Sequence, residues 1–81
     1  MEEPFVGMIE LFPYDFVPEG WALCAGQAMS IMQNQALYSL IGVKYGGNAS
    51  TTFNLPDLRN AVPIPGMRFC ISMQGLYPVR S

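Results

Sequence analysis

The chain has no histidine, only four basic and six acidic side chains, and two cysteines among its 81 residues. Each shortage removes a class of function. Without imidazole the commonest general base is missing. Neither Cys24 nor Cys70 has the partner that activates a nucleophilic thiol. Two cysteines without histidine do not complete a structural zinc site. A net charge of −2 with scattered cations gives no electrostatic footprint for nucleic acid. No apolar run approaches the ~20 residues of a membrane helix. Met1-Glu2-Glu3-Pro4 is acidic and lacks the basic start of a secretion signal, so the chain is expected to begin in a cytoplasm. A reducing compartment disfavours a disulfide, and Cys24 and Cys70 read as buried free thiols. The acids form no tight pair in sequence, and Gly46-Gly47 lacks the Gly-Lys-Ser/Thr ending of a phosphate loop. No cofactor, metal or catalysis is expected.

Hydrophobic side chains are what the sequence does have, at 51% of residues. One domain spanning residues 1–81 is the expectation, and a chain this size is marginal alone. So apolar a small body has trouble hiding its surface, which points to burial between subunits. The six methionines read as filler of an irregular core.

The stretch Tyr45–Asn60 reads as neither helix nor strand. Gly46-Gly47 frees the backbone, and Asn48, Ser50, Thr51, Thr52 and Asn54 are turn-holding side chains. Pro56 biases Leu55 toward extended backbone. Phe53, Leu55 and Leu58 would pin this long loop to a core, and loops of this length are often functional. Asp57 and Arg59 sit two apart and would share a face. They form either a structural ion pair that closes the loop or a ligand contact.

Phe5–Phe12 reads as a strand apolar on both faces, either central in a sheet or set between the core and a subunit interface. Tyr14, Phe16 and Val17 would fold back over the sheet as a lid. Trp21–Ala25 reads as a short antiparallel partner of the first strand, with Trp21 a core or interface anchor and, as the lesser reading, a stacking platform. Ser30 and Gln33 have the form of a capping box, predicting a helix from about Ile31 or Gln33 to Ile41, with Gly42 just past its end. Ala61–Gly66, with two prolines, predicts an edge strand or extended strip. Met67–Gln74 alternates most clearly of all and predicts a strand. Leu76, Tyr77 and Val79 are expected to dock on this chain or a neighbour.

Read together, these residues resemble a known family. Gly7-Met8-Ile9 with Phe12, Pro18–Gln27, Ala36–Gly42, Tyr45-Gly46-Gly47 and Thr51–Arg59 occur in order and resemble the phage tail collar domain. That domain is found in phage short tail fibres and in microcystin-dependent proteins. Cys70–Arg80 is similar to the closing segment of the latter. Ala25, Asn48-Ala49 and Asn60 depart from the family pattern, which usually has an acidic or amide residue, Asp-Gly and Gly there. A fibre shaft and a His-containing, metal- or receptor-binding tip are expected to be absent.

The resemblance implies an α+β fold: a small antiparallel or mixed β-sheet with one short helix and a long ordered loop, oligomeric and typically trimeric. It implies a structural or interaction module rather than an enzyme, docking to other tail proteins and found in a virion tail or host cytoplasm. The alternative is a free-standing oligomeric binder of a nucleotide-type signal or a carbohydrate. Its pocket would lie between subunits and draw on Trp21, Gln27, Tyr45, Gly46, Gly47, Asn48, Thr51, Thr52, Asp57 and Arg59.

Overall fold

A computed structural model describes residues 3–78. Its strands are β1 (Ile9–Phe12), β2 (Trp21–Leu23), β3 (Ala28–Ser30), β4 (Thr52–Asn54) and β5 (Arg68–Ser72). The helix α1 is Gln35–Ile41, and Arg59–Ala61 makes one turn of 3-10 helix. Two antiparallel sheets result, one of order β1-β5-β2 and one of β3-β4. The fold is α+β, small and mostly β.

The alternating run Met67–Gln74 yields β5, and it lies at the centre of its sheet. Its partners are β1 and β2, which do not touch each other as neighbours. The expected pairing of β1 with β2 is therefore corrected: β5, the most deeply buried of the three, takes the middle position between them. Phe69 and Ile71 face the core, while Cys70 and Ser72 face the other side. Both of the latter are also fully buried. Phe12 and Trp21 explain this, because they flank β5 on that side and meet edge-on with ring centroids 4.9 Å apart. The Ser72 hydroxyl, out of water, donates to the Gln74 carbonyl at 2.6 Å, as a buried polar group must.

The first strand is shorter than its apolar run predicts. Phe5–Met8 is a turn closed by the Met8 N–H on the Phe5 carbonyl, with Gly7 at φ +86°. Gly7 and Met8 together oppose Ser72: the Gly7 N–H donates to the Ser72 carbonyl, and the Ser72 N–H donates to Met8. This is a glycine β-bulge, and only after it does regular pairing begin. Apolar content carried the longer expectation and says nothing about a φ of this sign. Before the turn, Phe5 makes an isolated parallel bridge to Leu76.

The helix also starts later than predicted. Ser30 is the last residue of β3, held extended by pairing with Thr52. Its Oγ does accept the Gln33 N–H at 3.3 Å, but that bond closes a turn ahead of the helix. Asn34 is the N-cap, and its side chain donates back to the Ser30 carbonyl at 2.9 Å. At the other end the Gly42 N–H closes on Tyr38 at 2.7 Å, as expected of the residue past the end.

Two further differences concern Ala28–Asn54 and Ala61–Gly66. The ribbon β3-β4 was not predicted, because each strand is only three residues long and β4 lies within the apparent loop. Ala61–Gly66 is not an extended strip but a 3-10 end followed by bends and a turn. Pro63 and Pro65 fit this, having no N–H for a ladder. Val6, Cys24, Leu37, Phe53, Leu55 and Ile71 form the core where α1, both sheets and the loop converge. Each large member contributes about 1.5–3 kcal/mol by leaving water. Leu76 and Tyr77 dock on this chain, through Pro4 and Phe5 and through a 2.6 Å bond between the Tyr77 and Ser39 hydroxyls. Val79 lies outside the described residues.

Candidate functional site

Asn48 organises the stretch singled out in the sequence. Its Oδ1 accepts three backbone N–H groups, from Ser50, Thr51 and Thr52, at 2.8, 2.8 and 3.0 Å. Its Nδ2 donates to the Thr51 hydroxyl at 3.0 Å. The Ala49 N–H returns to the Thr52 carbonyl, and the Asn54 N–H bonds Gly46. These bonds satisfy most of the outer edge of β4. Ala49 pays for the tightness with φ +66°, a left-handed setting that strains a residue with a Cβ by about 1–2 kcal/mol. Ala49→Gly is expected to stabilise the fold by about 0.5–1 kcal/mol after glycine's own entropy cost, read from the chemical denaturation midpoint.

Asp57 and Arg59 form the predicted pair in bidentate geometry, with Nε to Oδ1 at 2.9 Å and Nη2 to Oδ2 at 2.7 Å. The Arg59 N–H adds a third bond at 3.2 Å. The side-chain hydrogen bonds from Arg59, then its backbone N–H, hold the Asp57 pKa down to about 2. A depressed carboxyl contributes stability above its unfolded value, and that stability is lost as pH falls through about 2. The pair is exposed, so its weight in the fold is small. A carboxyl-carbon NMR titration should place Asp57 near pH 2. Arg59→Gln should return it to the ordinary aspartate range.

The other candidates lie apart from these. Gln27 is an internal brace: its Oε1 accepts the Ala25 N–H, and its Nε2 donates to the Leu23 carbonyl at 2.8 Å. Tyr45 is exposed, with the Lys44 ammonium 5.9 Å from its ring centroid. Trp21 borders a cleft of about 470 Å³ with Glu3, Glu19 and Gln74. Arg59 borders another of about 230 Å³ with Arg68, Val62 and Met67. Thr51 borders a third of about 350 Å³ with Ser30 and Met32. Within one chain, Trp21, Thr51 and Arg59 therefore line three different clefts.

Cys24 and Cys70 are both buried and free. Burial first, and the neighbouring Cys70 second, push the Cys24 thiol up to about 11, far from the range of a reactive thiolate. Among the described residues no group of three His, Cys, Asp or Glu side chains is placed to hold a metal ion.

Sequence reasoning missed the most conspicuous surface feature. Tyr14 and Phe16 do not fold back as a lid. Phe12, Tyr14 and Phe16 stack in a row, centroids 5.8 and 5.1 Å apart, running from the end of β1 past Pro13 into a bend at Asp15 and Phe16. Arg68 holds this arm, donating from Nε to the Tyr14 carbonyl at 3.0 Å and from Nη2 to Asp15 at 3.4 Å. The signal was present as three aromatics at a spacing of two. It was obscured by Pro13 and Pro18, which mark the segment as a connection.

No curated protein matches the chain. A family model described as Phage Tail Collar Domain matches residues 7–63, from the bulge glycine of β1 through the loop to Pro63. The chain belongs to the phage tail collar domain family.

Proposed function

We propose that the chain is a structural collar module of a phage tail. It assembles as a homo-oligomer, a trimer, through its apolar faces and docks to other tail proteins without catalysis. One observation carries this reading: many large apolar side chains lie exposed, and two groups of them stand at the ends of β1. At one end of β1 are Tyr14 and Phe16, the latter 59% exposed. Near its other end are Phe5, Leu76 and Tyr77, each about half exposed. Contiguous groups of this kind mark contact surfaces. The family assigns such a module to the tail fibre, which supports a place in the virion tail. Among the described residues, no helix is long and apolar enough to cross a membrane.

A second reading, a nucleotide-type or carbohydrate ligand held between copies, draws on Arg59 and Arg68 at one cleft. Asp57 already neutralises Arg59, and Arg68 is spent on backbone carbonyls. The structural reading is preferred for that reason. Sedimentation velocity at micromolar concentration tests it. A species near three times the 9.0 kDa chain mass is expected, and a 9.0 kDa monomer contradicts it.

A further inference from the structure

Four strands lie at sheet edges, and their unpaired backbone groups differ. In β1 the bonds flanking the bulge fix the alternation. Ser72 bonds Met8, so Glu10 and Phe12 exchange bonds with Cys70 and Arg68. The N–H and C=O of Ile9 and Leu11 consequently point away from the sheet. In β3, Ile31 bonds Thr51 and Leu55 bonds Gln27, so Met29 is the bonded partner of Phe53. Ala28 and Ser30 then turn outward. Among the described residues these outward groups have no hydrogen-bond partner, apart from the Ser30 carbonyl, which accepts from Asn34 and keeps a second lone pair.

Among the described residues the other two edges offer less: each keeps only part of its outward groups free, the Trp21 carbonyl and Leu23 N–H on β2 and the Asn54 carbonyl on β4. On β2 the Trp21 N–H is taken by Pro18, and the Leu23 carbonyl is taken by Ala25 and Gln27. On β4 the remaining outward groups bond Gly46, Asn48 and Ala49.

We infer that the open edge of β1 in one copy pairs antiparallel with the open edge of β3 in a second copy, head to tail. Setting Ile9 opposite Ser30 and Leu11 opposite Ala28 engages all the outward groups in four backbone bonds. Glu10 then faces Met29, with no like charge across the seam. Pairing β1 with itself fails this test. The register that uses Ile9 and Leu11 in both copies sets Glu10 against Glu10. The register one step toward the C-terminus needs an N–H from Pro13, which has none. The register one step toward the N-terminus needs Gly7, whose N–H is already spent on Ser72.

The β1-to-β3 seam has a second consequence. Residues directly opposite point to the same side. Met29 points to its own core, and Glu10 points to the side of Phe12 and Trp21. The neighbour's core therefore lies over the aromatic side of β1. A head-to-tail contact closes into a ring when its rotation allows.

This inference rests on the oligomeric reading proposed above, and the test separates the two. Ala28→Pro removes one outward N–H that has no partner within the described chain and puts a ring into the seam. Sedimentation of wild type and variant, with circular dichroism as a control, gives the answer. If wild type is oligomeric, a folded Ala28→Pro chain with an apparent dissociation constant at least about tenfold higher supports the seam. A folded variant that associates as wild type does overturns the seam and leaves the oligomer standing. A monomeric wild type overturns both. Should Ala28→Pro fail to fold, mixed Glu10→Cys and Met29→Cys chains decide instead. They form a disulfide-linked heterodimer on mild oxidation if the seam exists, and none if it does not.

Discussion

Phe53→Ala is expected to cost about 3–5 kcal/mol, enough to unfold much of the population of so small a chain. Phe53 is wholly buried in the centre of β4. Its ring packs against Tyr38 of α1 with centroids 5.4 Å apart, so one side chain ties the ribbon to the helix. The truncation leaves a cavity bordered by core residues that α1 and both sheets hold in place. Urea denaturation should show the loss. Ile64→Ala, at an apolar side chain 57% exposed and outside both proposed contact groups, should move the midpoint little. Equal losses at the two sites would show that the core is placed wrongly.

The second large effect is expected at Gly47. A Cβ there would sit 2.5 Å from the Phe53 Cα and 2.6 Å from the Thr52 carbonyl oxygen. Both obstacles are backbone, and φ is +113°, outside the range an alanine adopts. Gly47→Ala must push the loop off the ribbon, breaking the approach that lets Gly46 cap the Asn54 N–H. A loss of about 3 kcal/mol is expected, since strained backbone and broken hydrogen bonds add. Gly42→Ala is the control, because no atom lies within 4 Å of its Cβ. Its own backbone, at φ +54° and ψ −141°, lies where glycine alone is at ease and should cost about 1–3 kcal/mol. The difference between the two measures the close contact.

These two positions show why the sequence was legible in some places and not others. The run Met67–Gln74 carries a period of two over enough residues to be read, and it became the central strand. Phe53 and Leu55 were read as pins of the loop, and both are core residues. What could not be read was that Phe53 pins the loop by being a strand. Three residues give no period, and β3 and β4 become strands only by pairing with each other. Ser30 illustrates the same competition: its side chain makes the local bond of a capping box, yet ladder pairing holds its backbone extended. Gly7 marks another limit, since a glycine in an apolar run announces neither a bulge nor a cut in the strand.

The candidate site was legible as local structure. Asn48, Thr51 and Thr52 hold the turn, and Asp57 and Arg59 make the ion pair, each at the predicted positions. Within one chain Thr51 and Arg59 line different clefts, and the predicted pocket between subunits is a matter of assembly rather than of the single fold. The aromatic arm and the open strand edges were not legible. They depend on which strand neighbours which, and β5 comes last in the chain.

The central claim, that this collar domain covers its exposed apolar faces with copies of itself, is tested most directly by native mass spectrometry of gently purified protein. A bare trimer is the result predicted. A stable monomer at micromolar concentration would contradict the account. An oligomer carrying a small molecule lost on denaturation would transfer the argument to a ligand held between subunits.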